Sequence, residues 1–191
     1  VLPRHLTLHD TIMREYVVVP NCELVVSILL HDSRSLWLVE SAKPPNDFHV
    51  LTFPQETIKF GRDGTFRGTL IRGLCEELRV TERLIRPEPV ELFRFENHLP
   101  LTRTDGVPTT KVLFYFAAKV PTNTRFNPNP AEVRRVVEVT PDTFLDLACG
   151  CRRDKCAGQI EAVLAAIKAN VLNAKHWAEL ASMYRTRPHA H

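Results

Sequence analysis

No apolar run in this sequence is long enough to cross a bilayer. The longest, Leu24 to Leu30, is interrupted by Ser27 and falls far short of the roughly 20 residues a spanning helix needs. Residues 1–16 lack the apolar core of a secretory signal. There is no internal repeat and no low-complexity tract. Cysteine is scarce and odd in number: five residues do not close into a disulfide framework. Cys22 and Cys75 sit in apolar segments as small core residues. Cys149, Cys151 and Cys156 form C-x-C-x4-C, but the next histidine is distant His176 and a structural zinc site takes four ligands. The cluster therefore reads as thiols of a reducing intracellular compartment, the cytoplasm or an organelle matrix such as the mitochondrion. The chain opens at Val1 rather than Met, so it is expected to begin inside a longer protein or after processing.

A large charge of one sign is also missing. Twenty-five Lys and Arg against 22 Asp and Glu leave a net of +3, which does not by itself select nucleic acid as a partner. The charge is uneven, however. Lys59 to Arg86 carries +3 and Arg152 to His191 carries +4, so the remainder carries −4. Two basic stretches of this kind suit a polyanionic ligand near them.

What is present is an ordinary globular composition. The 191 residues are 44% hydrophobic and 25% charged, enough to bury a core. Glu23 to Leu30 and Ser35 to Glu40, separated by His31-Asp32-Ser33-Arg34, predict a hairpin. Phe48 to Phe53, Val90 to Glu96, Lys111 to Val120 and Arg135 to Val139 predict further strands. Gln55 to Gly64 is irregular, and Asn97 to Thr110 is expected as a loop with a turn at Asp105-Gly106. From Thr65 the period changes. Phe66, Leu70, Leu74 and Leu78 recur every four residues, one apolar face of a helix, with Thr65 placed to cap it. Gly68 and Gly73 lie inside that helix, where glycine costs up to about 1 kcal/mol relative to alanine, so packing or space must require them. Pro141 opens a helical turn. Two amphipathic helices follow, one through Ile160, Val163, Leu164, Ile167 and Val171, the other through Trp177, Leu180, Met183 and Tyr184, with Asn173 near its start. Strands on both sides of a central helix, then terminal helices, give a mixed α/β or α+β sandwich.

The chemistry sits on the central helix. Arg72-Gly73-Leu74-Cys75-Glu76-Glu77-Leu78-Arg79-Val80 places two adjacent carboxylates opposite an apolar face. Arg72 is one turn before Glu76 and can orient it. Adjacent carboxylates repel, which favours a hard divalent cation. Mg²⁺ prefers such oxygen ligands and keeps waters and substrate phosphates in its shell.

This segment resembles the box of the Nudix superfamily, G-x5-E-x7-R-E-U-x-E-E-x-G-U with U aliphatic. Arg72, Leu74, Glu76, Glu77 and Val80 stand where the box has Arg, U, Glu, Glu and the last U. The flanks are similar in order and spacing. Glu23 to Glu40 resembles the opening hairpin, and His49 to Pro54 the strand before the Pro-Gly-Gly turn. Lys111 to Phe116 resembles the central strand, and Ala131 to Pro141 the late segment. The resemblance spans roughly residues 17 to 147 and implies a Nudix-like α/β/α sandwich with a mixed central sheet. The domain then runs over 17–151, after an N-terminal segment 1–16 and before a C-terminal helical extension and tail over 152–191.

The box is incomplete. Gly73 stands where the family has Glu, Arg79 where it has Gly, and Pro54-Gln55-Glu56 where it has Pro-Gly-Gly; Gly64 falls at the upstream Glu. Two outcomes follow. Replacement ligands come from elsewhere, Glu132 first, with Glu56 and Asp63 behind it. Otherwise the module binds nucleotide or RNA, or serves assembly, without hydrolysis. If active, the resemblance implies Mg²⁺- or Mn²⁺-dependent hydrolysis of a phosphoanhydride by activated water. The catalytic residues are then Glu76, Glu77 and Arg72, and the metal ligands Glu76, Glu77 and Glu132. The implied substrate is a nucleoside diphosphate-linked compound: a dinucleoside polyphosphate, a nucleotide sugar or an RNA 5′ end. Arg94 and Lys111, on neighbouring strands, and Tyr115 or Phe116, one of which should face a cleft, are the expected substrate contacts. Trp37 and Trp177 read as packing residues. The Trp177, Leu180 and Met183 face, left over from a minimal domain, is expected to serve a protein partner or self-association through residues 173–185.

Overall fold

The computed structural model describes residues 22–42, 51–88, 96–102, 108–149, 153–177, 180 and 182. Its centre is the strand β1, Cys22–His31, whose side chains alternate between two apolar layers. Val25 and Leu29 face one layer; Leu24, Val26, Ile28 and Leu30 face the other. Continuous apolar character in a strand is the mark of burial on both faces.

β1 turns into β2, Leu36–Ser41, through the predicted hairpin. The Asp32 carboxylate fixes that turn, with Oδ1 accepting from the amides of Arg34 and Ser35 at 2.9 and 2.8 Å. On its other edge β1 runs parallel to β7, Pro108–Lys119, in register from Cys22 opposite Thr110 to His31 opposite Lys119. The short β3, Leu51–Thr52, and β8, Val133–Val139, both pair antiparallel with β2. β4, Gln55–Thr57, pairs with β1, while β5, Arg86–Glu88, and β6, Glu96–Thr102, pair with β7. The sheet is mixed, as expected.

Helices cover both faces. A short turn of helix, α1, Phe60–Asp63, leads into α2, Phe66–Leu78. Phe66, Leu70, Ile71, Leu74 and Leu78 of α2 bury against Val26, Ile28 and Phe114. Each fully buried leucine there is worth about 2 kcal/mol relative to exposure. Thr65 caps α2 as the sequence predicts, its Oγ1 accepting from the Gly68 amide at 3.0 Å. The opposite face carries α3, Pro141–Cys149, and α4, Arg153–Lys168. Phe144 stacks on Phe53 and meets Trp177 edge-on. The result is the α/β/α sandwich inferred from sequence.

Several expectations are corrected. Residues 55–64 hold β4 and α1 rather than irregular chain. Residues 96–102 are a strand rather than a loop. Trp177 and Leu180, expected as an open apolar face, are fully buried in the layer containing Ile160 and Val163. Asn173 caps their helical segment, with Oδ1 accepting from the amides of Lys175 and His176. Trp37 is a packing residue as expected, buried and edge-on to Phe126, and the burial of Trp177 bears out its reading as a packing residue too. Met183, Tyr184, Cys151 and the turn at Asp105-Gly106 lie outside the described residues. Among those described, no helix is long and apolar enough to cross a membrane.

Candidate active site

Arg72 organises the site from inside. Its side chain is only 8% exposed, and a guanidinium so buried needs partners on every edge. Nε and Nη2 donate to Asp63 Oδ1 and Oδ2 at 2.6 and 2.8 Å, a two-point pairing. Nη2 also donates to the Thr57 carbonyl at 2.8 Å. Nη1 lies 2.9 Å from Glu56 Oε1 and 3.3 Å from Glu76 Oε2. Asp63 accepts further from the Thr69 hydroxyl and the Lys59 amide, both at 2.9 Å. The Arg72 hydrogen bond holds the Asp63 carboxyl well below the usual carboxylate range despite burial. The same pairing raises the Arg72 guanidinium further. Part of the basic excess around residues 59–86 is therefore internal wiring rather than open surface.

Asp63, one position before the Gly64 that falls at the box's upstream Glu, is the carboxylate that meets Arg72 at two points. Gly64 closes α1 in a left-handed conformation, φ 64°, and Gly68 lets α2 start against it. A Cβ on Gly68 would stand 2.2 Å from the Asp63 carbonyl oxygen, closer than any side chain allows. The glycine demanded by space in the sequence has this contact as its reason.

Glu76 and Glu77 point into one cleft of about 280 Å³, lined also by Glu56, Lys59, Asn129 and Glu132. The end of α2 explains why the late segment reaches it. Terminal carbonyls of a helix need donors from outside; the Asn129 amide serves Glu77 at 2.8 Å and the Asn127 amide serves Leu78 at 3.3 Å. The loop that supplies those amides carries Asn129 and Glu132 to the cleft. The Glu132 carbonyl accepts from the Ala42 amide at 2.9 Å. Two residues before Ala42, Glu40, almost fully buried, binds Arg134 and Arg135 at 3.0 and 2.6 Å and fixes the strand that follows Glu132.

Glu76 is the more exposed of the box carboxylates. Arg62 Nη2 donates to its Oε1 at 2.6 Å. Burial opposes its ionisation, but the Arg62 and Arg72 guanidiniums outweigh that and hold its carboxyl below the ordinary value. Gly73 lies on the same helix face as Glu77, against Glu56. A Cβ there would sit 2.8 Å from Glu56 Cβ. At the far end of the helix Arg79, which stands where the box has Gly, adopts a left-handed conformation, φ 54°, that glycine takes without strain. The amides of Arg79 and Val80 both donate to the Leu74 carbonyl.

The donor chemistry of the cleft fits a hard dication: Glu56, Glu76, Glu77 and Glu132 offer only oxygens. They do not form a closed cage, since among the described residues no three acidic, His or Cys side chains converge tightly enough to hold an ion. Mg²⁺ needs no such cage when waters and phosphates complete its shell.

The predicted residues are partly reunited. Arg72, Glu76, Glu77 and Glu132 meet in one place. Tyr115 does not: it is buried in the sheet layer beneath α4, and burial pushes its phenol up to about 12. Phe116 packs on Phe66 instead of facing a cleft. Arg94 and the Lys111 side chain lie outside the described residues. Cys75 is half-buried, and burial pushes its thiol up. The sequence reading gave no role to Lys59, Arg62 and Asn129, and it ranked Glu56 below Glu132. The only signal for them was the basic excess after Lys59 and the glycine at 73.

No protein-family model matches the sequence, and no curated protein does. Solved structures do. The chain is similar to a Caenorhabditis elegans Ap4A hydrolase binary complex, with a TM-score of 0.52 and 17% identity, covering 75% of this chain and 98% of that one. It is similar to a NUDIX-family hydrolase from Clostridium perfringens, with a TM-score of 0.50 and 11% identity, covering 73% of this chain and 95% of that one. It is similar to the NUDIX domain of Shewanella oneidensis NrtR complexed with ADP ribose, with a TM-score of 0.50 and 16% identity, covering 80% and 97%. At such identities these likenesses speak to the fold, and the fold is that of the Nudix hydrolases.

Proposed function

We propose that this Nudix fold carries a divalent-dependent hydrolase of phosphoanhydrides in nucleoside diphosphate-linked substrates. The observation that carries the reading is that Glu76 and Glu77 of α2 share one cleft with Glu56 and Glu132 from two other elements, beside Lys59. The solved likenesses with Ap4A hydrolase and with an ADP-ribose complex support that substrate class.

Glu76 and Glu77, with Glu56 and Glu132 lining the same cleft, would offer oxygens to Mg²⁺ or Mn²⁺, whose shell waters and substrate phosphates would complete. The cation would polarise the phosphoryl oxygens and acidify water. Arg72, locked by Asp63, positions Glu56 and Glu76. Arg72 is thus a positioning residue rather than a catalytic one. Glu77 serves as ligand or base. Lys59 is the cation lining the cleft and is placed to meet a substrate phosphate. An RNA 5′ end remains within this class; the basic charge from Arg152 onward favours it.

The Arg62–Glu76 contact supports a second reading, a module that binds nucleotide or RNA or serves assembly, because it ties up a box carboxylate. A panel separates the two. Dinucleoside polyphosphates, nucleotide sugars, nucleoside triphosphates, and triphosphorylated and capped RNA are incubated with the protein, with and without Mg²⁺ or Mn²⁺. Metal-dependent release of mononucleotide or pyrophosphate supports the enzyme. Binding without turnover supports the second reading.

A further inference from the structure

Gly73 and Glu56 exclude each other's side chains. A Cβ built on Gly73 meets Glu56 Cβ at 2.8 Å, Cγ at 3.1 Å and Oε2 at 3.4 Å. Real Cβ atoms do not approach a Cβ so closely, and a whole glutamate at 73 would need the volume Glu56 fills. The chain can therefore carry an acidic side chain at one of these positions and not at both.

We propose that Glu56 has taken over the box carboxylate missing at Gly73, as a cation ligand delivered by the sheet instead of the helix. The inference rests on the reading of the cleft as a hydrolase site. Three observations carry it. Glu56 sits in β4, paired opposite Val26 of the central strand, so its backbone is fixed by the most buried strand of the fold. Its side chain is 13% exposed and lines the same cleft as Glu76 and Glu77. Its Oε1 is anchored at 2.9 Å from Arg72 Nη1, while Oε2 lies toward Gly73. A carboxylate offers about four lone-pair sites, so one anchoring contact leaves capacity for an ion.

Arg72 alone does not account for Glu56. Its charge is met on two nitrogens by Asp63, and it also reaches Glu76 and the Thr57 carbonyl. The exchange explains both positions with one cause.

The test uses the full chain and Mn²⁺ alone, with free Mn²⁺ followed by electron paramagnetic resonance and thermal unfolding measured in parallel. Five proteins are compared: the parent, Glu56→Gln, Glu56→Gly, Gly73→Glu, and the swap Glu56→Gly with Gly73→Glu. The expected result is that Glu56→Gln weakens Mn²⁺ binding about tenfold or more, with at most a modest fall in melting temperature because Asp63 still meets the Arg72 charge at two points. Gly73→Glu alone unfolds at lower temperature, and the swap recovers both melting temperature and Mn²⁺ binding. If the parent binds Mn²⁺ and Glu56→Gln binds it equally well, Glu56 only props Arg72 and the inference is overturned. A swap no better than the sum of its single changes overturns the exchange. A parent that does not bind Mn²⁺ overturns the reading of the cleft itself. The parent and Glu56→Gln measurements thus tell the two failures apart.

Discussion

Asp63 meets Arg72 at two points, 2.6 and 2.8 Å apart, although it stands one residue before Gly64, the position at which the box motif has its upstream Glu. α1 and the left-handed Gly64 absorb the offset, and the buried carboxylate reaches the guanidinium. The whole site hangs on this pair, because Arg72 in turn holds Glu56 and Glu76.

Replacing Asp63 by Asn removes the charge that compensates a buried cation. Breaking a buried ion pair from one side costs about 3 kcal/mol, and the expected loss is of that order, read from urea unfolding. The pH dependence follows from the lowered carboxyl. The folded state binds the Asp63 proton more weakly than the unfolded chain does. Its stabilisation is therefore complete above about pH 4, the unfolded value, and fades as pH falls toward the lower folded value. The parent should lose stability through that acid range more steeply than Asp63→Asn. Equal slopes would show that Asp63 does not carry the effect.

Arg62 and Glu76 form a pair at the surface, with side chains 60% and 41% exposed. Such pairs contribute about 0–1 kcal/mol, so Arg62→Ala should leave unfolding almost unchanged. It should tighten Mn²⁺ binding several-fold, because Glu76 no longer has to leave a guanidinium. Weaker binding in that variant would mean that Arg62 aids the ion or its substrate instead of competing with them.

Arg79 carries the left-handed end of α2 without being glycine, at φ 54°. That conformation costs a side-chain-bearing residue about 1–2 kcal/mol, part of which glycine gives back through its freer unfolded chain. Arg79→Gly should stabilise the protein by about 0.5–1 kcal/mol in a denaturant melt. Destabilisation would indicate that the Arg79 side chain makes contacts worth more than the strain.

The elements legible in the sequence were those with a local signature. The hairpin announced itself by two apolar runs around His31-Asp32-Ser33-Arg34. The box helix did so by Phe66, Leu70, Leu74 and Leu78 together with Thr65. β4 and β6 had no such mark. Gln55-Glu56-Thr57 is a strand only because β1 lies beside it, and Glu96–Thr102 contains Pro100 and no clean alternation, yet pairs with β7. Tyr115 and Phe116 show the limit of period two: alternation assigned them opposite faces but could not show that both faces are covered. A helical stripe is just as silent about what covers it, and Leu180, expected on an open face, is buried. In the site, Glu76, Glu77 and Arg72 were legible from spacing along one helix. Glu56 and Asp63 became prominent only in three dimensions, since nothing in a linear motif says which carboxylate fills the room beside a glycine.

The most direct measurement of the central claim compares the parent with Glu77→Gln across the substrate panel at saturating Mn²⁺. Replacing a ligand or base carboxylate typically costs 10²–10⁴-fold in rate. The account predicts metal-dependent cleavage of at least one phosphoanhydride by the parent and a fall of about 100-fold or more in the variant, with both proteins unfolding at similar temperature. A parent that is folded yet cleaves no member of the panel, or a Glu77→Gln variant as fast as the parent, would contradict it.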